Sequence, residues 1–256
     1  MKPRNRCVCS ILPPYILERL ARSSDPDLRR RARRALVQAE SFHLLREKHP
    51  AWPLPARAVR GKRRAVYDAE GRPELPGKIV RTETGKPTAD VAVNEAFDHS
   101  GHTYDFFAKV FGRNSLDGEG MKLVSSVHVG DEDGEPLTNA FWNGEQMAYG
   151  DGDGRVFQRF TRSLDVVAHE LTHGVVSFTS NLFYQGQSGA LNEHFADVFG
   201  VLTRQWRRGE PVSEASWVVG EEILVALPTR RGIRDMMEPG KAFVNDPYLG
   251  TDPQPA

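Results

Sequence analysis

Apolar positions recur along the chain at two periods, and the changes of period divide it into elements. Between residues 15 and 50, Leu17, Leu20, Leu28, Ala32, Ala35, Leu36, Phe42 and Leu45 fall roughly at helical spacing, which predicts a helical segment after the pair Pro13-Pro14. Asp25-Pro26 reads as an N-cap with proline at the first helical position. The proline punctuation from His49 to Pro55 predicts a linker. Beyond it, residues 65–68 and 77–81 read as strands joined by a Gly/Pro turn. Residues 91–111 read as a helix with Ala92, Ala96, Tyr104, Phe107 and Phe111 on or near one face. Residues 124–129 predict a strand. Residues 141–149 predict a strand or edge segment, ended by the turn run Gly150-Asp151-Gly152-Asp153-Gly154. A mostly apolar helix follows from 163 to about 180, then a second from about 190 to 206. The chain shows no internal repeat.

Charge changes this picture more than composition does. The chain has 256 residues, 39% of them hydrophobic, and a formal net charge of zero, so no global field marks it for nucleic acid or a membrane. Residues 1–64 hold 17 Lys+Arg against 5 Asp+Glu, a net of +12; the remainder holds 17 against 29, a net of −12. A basic arm and an acidic body attract each other if they share a fold. The run from Arg29 to Arg34 reads first as a solvated helix face, with contact to the acidic body as the alternative. Gly61-Lys62-Arg63-Arg64 reads as a site for proteolytic nicking. Cys7 and Cys9 are the two cysteines, which excludes a disulfide framework. Residues 7–17 are too short and too broken by proline for a secretory h-region, and no apolar run reaches membrane-spanning length. A soluble, cytoplasmic protein is expected unless an unusual export route exists.

The chemistry lies in the last two helices. His169-Glu170-Leu171-Thr172-His173 sits among Val166, Val167, Ala168, Val175 and Val176. Residues four apart share a helix face, so both imidazoles can reach one metal ion, and zinc suits such nitrogen ligands. Glu170 is offset by one residue, near the metal but not on it, where a general base for a metal-activated water belongs. The competing reading is a buried helix with incidental histidines; the apolar context argues against it. Gly174 costs helix propensity, so it leaves room for something packed close. In the second helix Glu193 offers a third ligand, closing a two-His, one-Glu site. Asp197, one turn on, can accept the free N–H of a ligand histidine. Alone these acids read as a solvated face, but Leu191, Phe195, Ala196, Val198 and Phe199 around them are apolar.

His169-Glu-Leu-Thr-His-Gly, with Gly186-Gln-Ser-Gly-Ala-Leu-Asn-Glu193 and Asp197-Val-Phe-Gly, resembles the thermolysin family. The segment from Asn139 to Gly154 resembles the edge strand and calcium-binding loop region of that family's cleft, and the likeness runs from about Ala65 to Asp252. Cys9-Ser-Ile-Leu-Pro-Pro-Tyr-Ile-Leu17 resembles the short propeptide of the protealysin-like branch. The resemblance implies an α+β fold: a helical pro-segment (1–50), a linker and processing region (51–64), a β-rich catalytic lobe with central zinc-binding helices (65–206), and the start of a C-terminal helical lobe (207–256) that is largely missing. It implies the zymogen of a neutral zinc metalloendopeptidase that prefers bulky apolar residues after the cut. His169, His173 and Glu193 would hold zinc, and Glu170 would be the base. Tyr184 would stabilise the oxyanion. Asn139, Ala140 and Arg234 would bind substrate backbone, and Asn192 and Asp197 would support the ligand histidines. The partners implied are a protein or peptide substrate and the chain's own pro-segment as intramolecular inhibitor. The resemblance implies a secreted protein, with no signal peptide seen and a cytoplasmic location as the alternative.

Two departures stand out. The family uses a histidine well beyond the third ligand to stabilise the transition state, whereas the one histidine after Glu193 here is His194, which a helix turns about 100° away. This reads as a truncated sequence. The alternative is a catalytically inert zinc-binding lobe acting as a protein-interaction module. Finally, Asp165 and Glu221 match acidic positions of the family's calcium sites, but Arg204, Ser216 and Val218 stand where those sites have acids, and an arginine there can replace the ion's charge. Calcium is therefore a doubtful cofactor, zinc the expected one. A thiolate from Cys7 or Cys9 in zinc's open position is the alternative to plain reduced thiols, which is the first reading.

Overall fold

The computed structural model describes residues 10–47, with side chains placed up to 38, and residues 59–254. Cys7, Cys9 and most of the 51–64 linker lie outside these residues. The elements are α1 (Pro14–Leu20), α2 (Pro26–Glu47), β1 (Arg64–Asp68), β2 (Lys78–Thr82), α3 (Val91–Phe111), β3 (Leu123–Val127), β4 (Ala140–Trp142), β5 (Met147–Tyr149), α4 (Leu164–Ser177), α5 (Gly186–Arg208), β6 (Val218–Val219) and β7 (Arg234–Asp235). Five strands form one sheet in the order β2-β1-β3-β5-β4, with β6 and β7 as a separate pair. β1, β3 and β5 run parallel, and β2 and β4 pair antiparallel at the two edges. The expected α+β fold is present.

α3 occupies the expected span because its ends carry strong local signals. Asp90 Oδ1 accepts the N–H groups of Ala92 and Val93, and Gly112 ends the helix at φ 65°. Phe111, read as part of the buried face, is instead exposed at the last position. The segment 141–149 is not one strand. It is a hairpin, β4 to β5, turned by Asn143-Gly144: Asn143 Oδ1 accepts the N–H groups of Glu145 and Gln146. α5 begins at Gly186, about four residues before the apolar pattern suggests.

α4 is buried throughout from Leu164 to Gly174, its polar residues Asp165, His169, Glu170, Thr172 and His173 included. Gly174 does leave room for neighbours: a Cβ there would meet Leu116 Cδ1 at 2.8 Å and the Trp142 ring at 3.4 Å. Gly200 does the same for α5, where a Cβ would come within 2.6 Å of Asp165 O and 3.2 Å of His169 Cβ. These close approaches seat α4 between the β4 edge and α5.

α1 and α2 lie on this body. Ile11, Leu12, Ile16, Leu17, Leu20, Leu28, Ala32 and Ala35 are buried in the same apolar cluster as Val166, Val167 and Leu171 of α4. Asp25 caps α2 as expected, its Oδ1 accepting from Asp27 and Leu28. The arginine run is a correction to its first reading: Arg30 and Arg33 are exposed, yet Arg30, Arg31 and Arg34 pair with the acidic turn 131–135. Lys62, Arg63 and Arg64 are also tied to the body, through Asp105, Gly120 O and Glu83 respectively.

One charge cluster sits apart from the metal-binding helices. His128, at φ 54°, bridges Asp151 through Nδ1 and Asp90 through Nε2, both at 2.8 Å. The Asp151 hydrogen bond raises its pKa to about 9; burial opposes this and Asp90 adds to the rise. A raised folded pKa stabilises the fold below the ordinary value of about 6.5, and that stabilisation disappears as pH climbs through about 9. Thermal melts from pH 6 to 10 should show an alkaline loss of stability in the parent that is reduced in His128→Gln; parallel profiles would refute the bridge.

Candidate metal centre and substrate cleft

His169 and His173 stand one turn apart on α4, fully buried, with their rings perpendicular and 4.7 Å between centroids. His169 Nδ1 lies 2.8 Å from Asp197 Oδ1, and His173 Nδ1 lies 2.8 Å from Asn192 Oδ1. Facing acceptors, both Nδ1 atoms carry the proton, so both Nε2 atoms present lone pairs. Those Nε2 atoms are 3.1 Å apart. Glu193 completes the triangle, with Oε2 3.4 Å from His169 Nε2 and Oε1 3.4 Å from His173 Nε2.

Two lone pairs and a carboxylate repel each other at this range unless a cation sits among them. Tetrahedral zinc with bonds of about 2.0–2.1 Å holds adjacent ligand atoms about 3.3–3.4 Å apart. The three side chains already bring their donor atoms to 3.1–3.4 Å, close to that spacing, and Glu193 Oε1 is buried without a hydrogen-bond partner. The field agrees. Burial alone would lower the His169 pKa, yet Asp197 and Glu193 raise it to about 10, so the pocket favours positive charge: a proton on Nε2 in the free site, or a metal ion in its place. The donor set fits zinc.

Glu170 is fully buried beside the histidines, its carboxylate within 4.8 Å of their ligand atoms. Its Oε2 accepts the backbone N–H of Trp142 on β4 at 2.9 Å. No local pattern in the sequence points to that bond, which ties Glu170 to the edge strand. Tyr184, between α4 and α5, has its ring 6.0 Å from that of His173.

Arg234 on β7 forms a two-pronged pair with Asp197, Nε to Oδ2 and Nη2 to Oδ1, both at 2.7 Å. Burial pushes the Asp197 carboxyl up, but Arg234 and His169 together hold it well below the usual range. Asp197 therefore contacts both His169 and Arg234, and no local pattern in the sequence points to the second of these pairs.

The cleft beside β4 holds the N-terminal segment. Ile11 N–H donates to Ala140 O at 3.4 Å, Leu12 N–H to Asn139 Oδ1 at 3.4 Å, and Arg234 Nη1 to Ile11 O at 2.9 Å. Asn139 Nδ2 also donates to Ser10 Oγ at 3.0 Å. Asn139, Ala140 and Arg234 thus converge on one backbone, that of residues 10–12. His194 is exposed and faces a pocket shared with Ser10, Glu193 and Arg234.

Behind α4, the Arg204 guanidinium is buried against Asp165, with Val218 O at 2.9 Å and Ser216 O at 2.8 Å. Glu221 is exposed.

Comparison with known proteins agrees with the geometry. Residues 54–177 match the family described as thermolysin metallopeptidase, catalytic domain, and residues 180–256 match thermolysin metallopeptidase, alpha-helical domain. The second match begins before α5, so the helical domain, expected to be largely missing, is represented from residue 180 onward. The chain is 44% identical over 255 residues to an extracellular metalloprotease of Pectobacterium carotovorum, covering 99% of this chain and 71% of the relative. It is 43% identical to Protease PrtS of a Photorhabdus strain, covering 100% and 68%. The precursor of protealysin from Serratia proteamaculans superposes with a TM-score of 0.83 at 43% identity, over 96% of this chain and 70% of that one. With matching family models along its length and relatives above 40% identity, the chain belongs to the thermolysin family of metallopeptidases, within its protealysin-like branch.

Proposed function

We propose that this metallopeptidase is a zymogen, with residues 10–47 as its inhibitory pro-segment and His169, His173 and Glu193 as its zinc ligands. The observation that carries the reading is the alignment of Ile11 and Leu12 on β4, with Arg234 on the Ile11 carbonyl. An extended peptide added to a free strand edge is how a substrate would bind. Zinc held by the three ligands supplies Lewis acidity and a nucleophilic water at neutral pH.

The chain's own groups would do the rest. Asn139 and Ala140 align the substrate backbone, and Arg234, fixed by Asp197, holds the carbonyl beyond the scissile bond. Glu170, steadied by the Trp142 N–H, takes a proton from the attacking water and passes it toward the leaving amine. Tyr184 donates to the oxygen that gains charge. Ile11 and Leu12, both fully buried, fill the space that substrate side chains would enter, which supports a preference for bulky apolar residues after the cut. Because Lys62, Arg63 and Arg64 are engaged with the body, processing within 51–64 is best placed before Gly61. Among the described residues no helix can cross a membrane, and the export of this chain is proposed from the name of its Pectobacterium relative. Arg204 in the cation's place supports a chain that needs zinc but not calcium.

Metal analysis tests the centre. The purified parent should carry one zinc per chain, and His169→Ala/Glu193→Ala should carry none. A metal-free parent, or zinc retained by the double variant, would overturn the ligand assignment.

A further inference from the structure

The pro-segment is held at two places of different chemistry. Near the cleft, Ile11, Leu12, Ile16, Leu17 and Leu20 are all buried to within 1% of full burial, so this end is held by large apolar side chains. α2 is different. On its described side-chain span it buries Leu28 and two small residues, Ala32 and Ala35. An alanine contributes far less apolar area than a leucine, so apolar contact holds this span of α2 weakly.

Charge makes up the difference. Arg30 and Arg31 reach Glu135 at 3.4 and 3.0 Å. Arg34 divides its guanidinium between Asp131 at 2.7 Å and Asp133 at 2.6 Å. One turn further, Gln38 Nε2 donates to Gly130 O at 3.3 Å. All of these contacts fall on residues 130–135, between β3 and the substrate-aligning residues Asn139 and Ala140. The turn is built to present acids. Asp131 Oδ1 accepts the N–H groups of Asp133 and Glu135, and Gly134 N–H bonds Asp131 O. Burial pushes the Asp131 carboxyl up, but those backbone donors and Arg34 outweigh it and keep the group ionised. Asp27, on α2 itself, also pairs with Arg30 and Arg31, so these arginines keep a partner when α2 lifts away.

The geometry points to the acidic turn 131–135 as a salt-sensitive latch for α2, separate from the apolar plug in the cleft. This rests on the zymogen reading and deepens it: the pro-segment opens from its α2 end first, and ionic strength sets how often. Exposed pairs are screened over about 10 Å at 0.1 M salt and about 3 Å at 1 M, whereas apolar burial is not weakened by salt.

Amide hydrogen exchange on the intact, zinc-loaded chain tests this. Asp131→Asn/Asp133→Asn/Glu135→Gln should speed exchange of α2 amides about tenfold, equal to about 1.4 kcal/mol of opening. The amides of Ile11, Leu12 and α4 should keep their parent rates. In 1 M NaCl the parent should move toward the variant, while the variant should respond little. Arg30→Gln/Arg31→Gln/Arg34→Gln, which leaves the turn untouched, should match it. Unchanged α2 exchange in both variants, or acceleration spread equally over the cleft segment, would overturn the latch. The measurement needs no catalysis. A precursor found as active as its processed form would end the zymogen reading while leaving the exchange result to judge the latch alone.

Discussion

Replacing Glu170 by glutamine in the processed, zinc-loaded enzyme should lower kcat/KM on a peptide substrate by about 10²–10⁴, the range that a positioned general base contributes. The loss should appear in kcat, because the missing step is proton transfer and not binding. Zinc content should stay at the parent level. Glu170 lies beside the His169–His173–Glu193 triangle but is not one of the three side chains whose donor atoms lie 3.1–3.4 Å apart. Glutamine retains a carbonyl oxygen for the Trp142 N–H, so the edge strand keeps its tie to α4. That separates loss of a base from loss of shape. Activity within tenfold of the parent would remove Glu170 from the mechanism. Loss of zinc would show instead that it acts as a ligand.

The parts of this site that sequence reveals are those whose geometry is local. His169 and His173 share a face because a helix repeats every 3.6 residues, and α3 ends where Asp90 and Gly112 cap it. The hairpin at Asn143-Gly144 was also written locally, in an Asn-Gly pair, but a run of apolar residues on both sides masked it as one strand. What stayed hidden depends on pairs far apart in the chain. Arg234 and Ile11 are 223 residues apart, and no local pattern brings that guanidinium to that carbonyl. The arginines of α2 look like an ordinary solvated face because their acidic partners lie about a hundred residues on, and only the +12/−12 division of charge hinted at them. Sequence similarity supplied the roles of Asn139 and Arg234; the fold adds that in this chain they engage its own N-terminal segment.

Arg204 carries the second large effect. Arg204→Met should destabilise the fold by about 3–5 kcal/mol, because removing one partner of a buried pair leaves an uncompensated charge. Asp165 is 1% exposed and would keep only neutral donors, Ser163 Oγ and the N–H groups of Val166 and Gly220. The carbonyls of Val218 and Ser216 would also lose a charged donor, loosening the β6 strand from α5. For a chain of this size the melting temperature should fall by roughly 10 °C. A calcium chelator that spares zinc should leave the parent's melting temperature unchanged, since a guanidinium already neutralises Asp165. Arg204→Glu sharpens the distinction: it sets a second carboxylate beside Asp165 and the two carbonyls, all hard oxygen donors that suit calcium. That variant should be unstable in chelator and regain stability in millimolar calcium, while Arg204→Met should not respond. If the methionine variant loses less than about 1 kcal/mol, the range of an exposed pair, Arg204 is not acting as a buried counter-charge. If the parent itself melts earlier in chelator, a calcium ion shares the work that the guanidinium is assigned here.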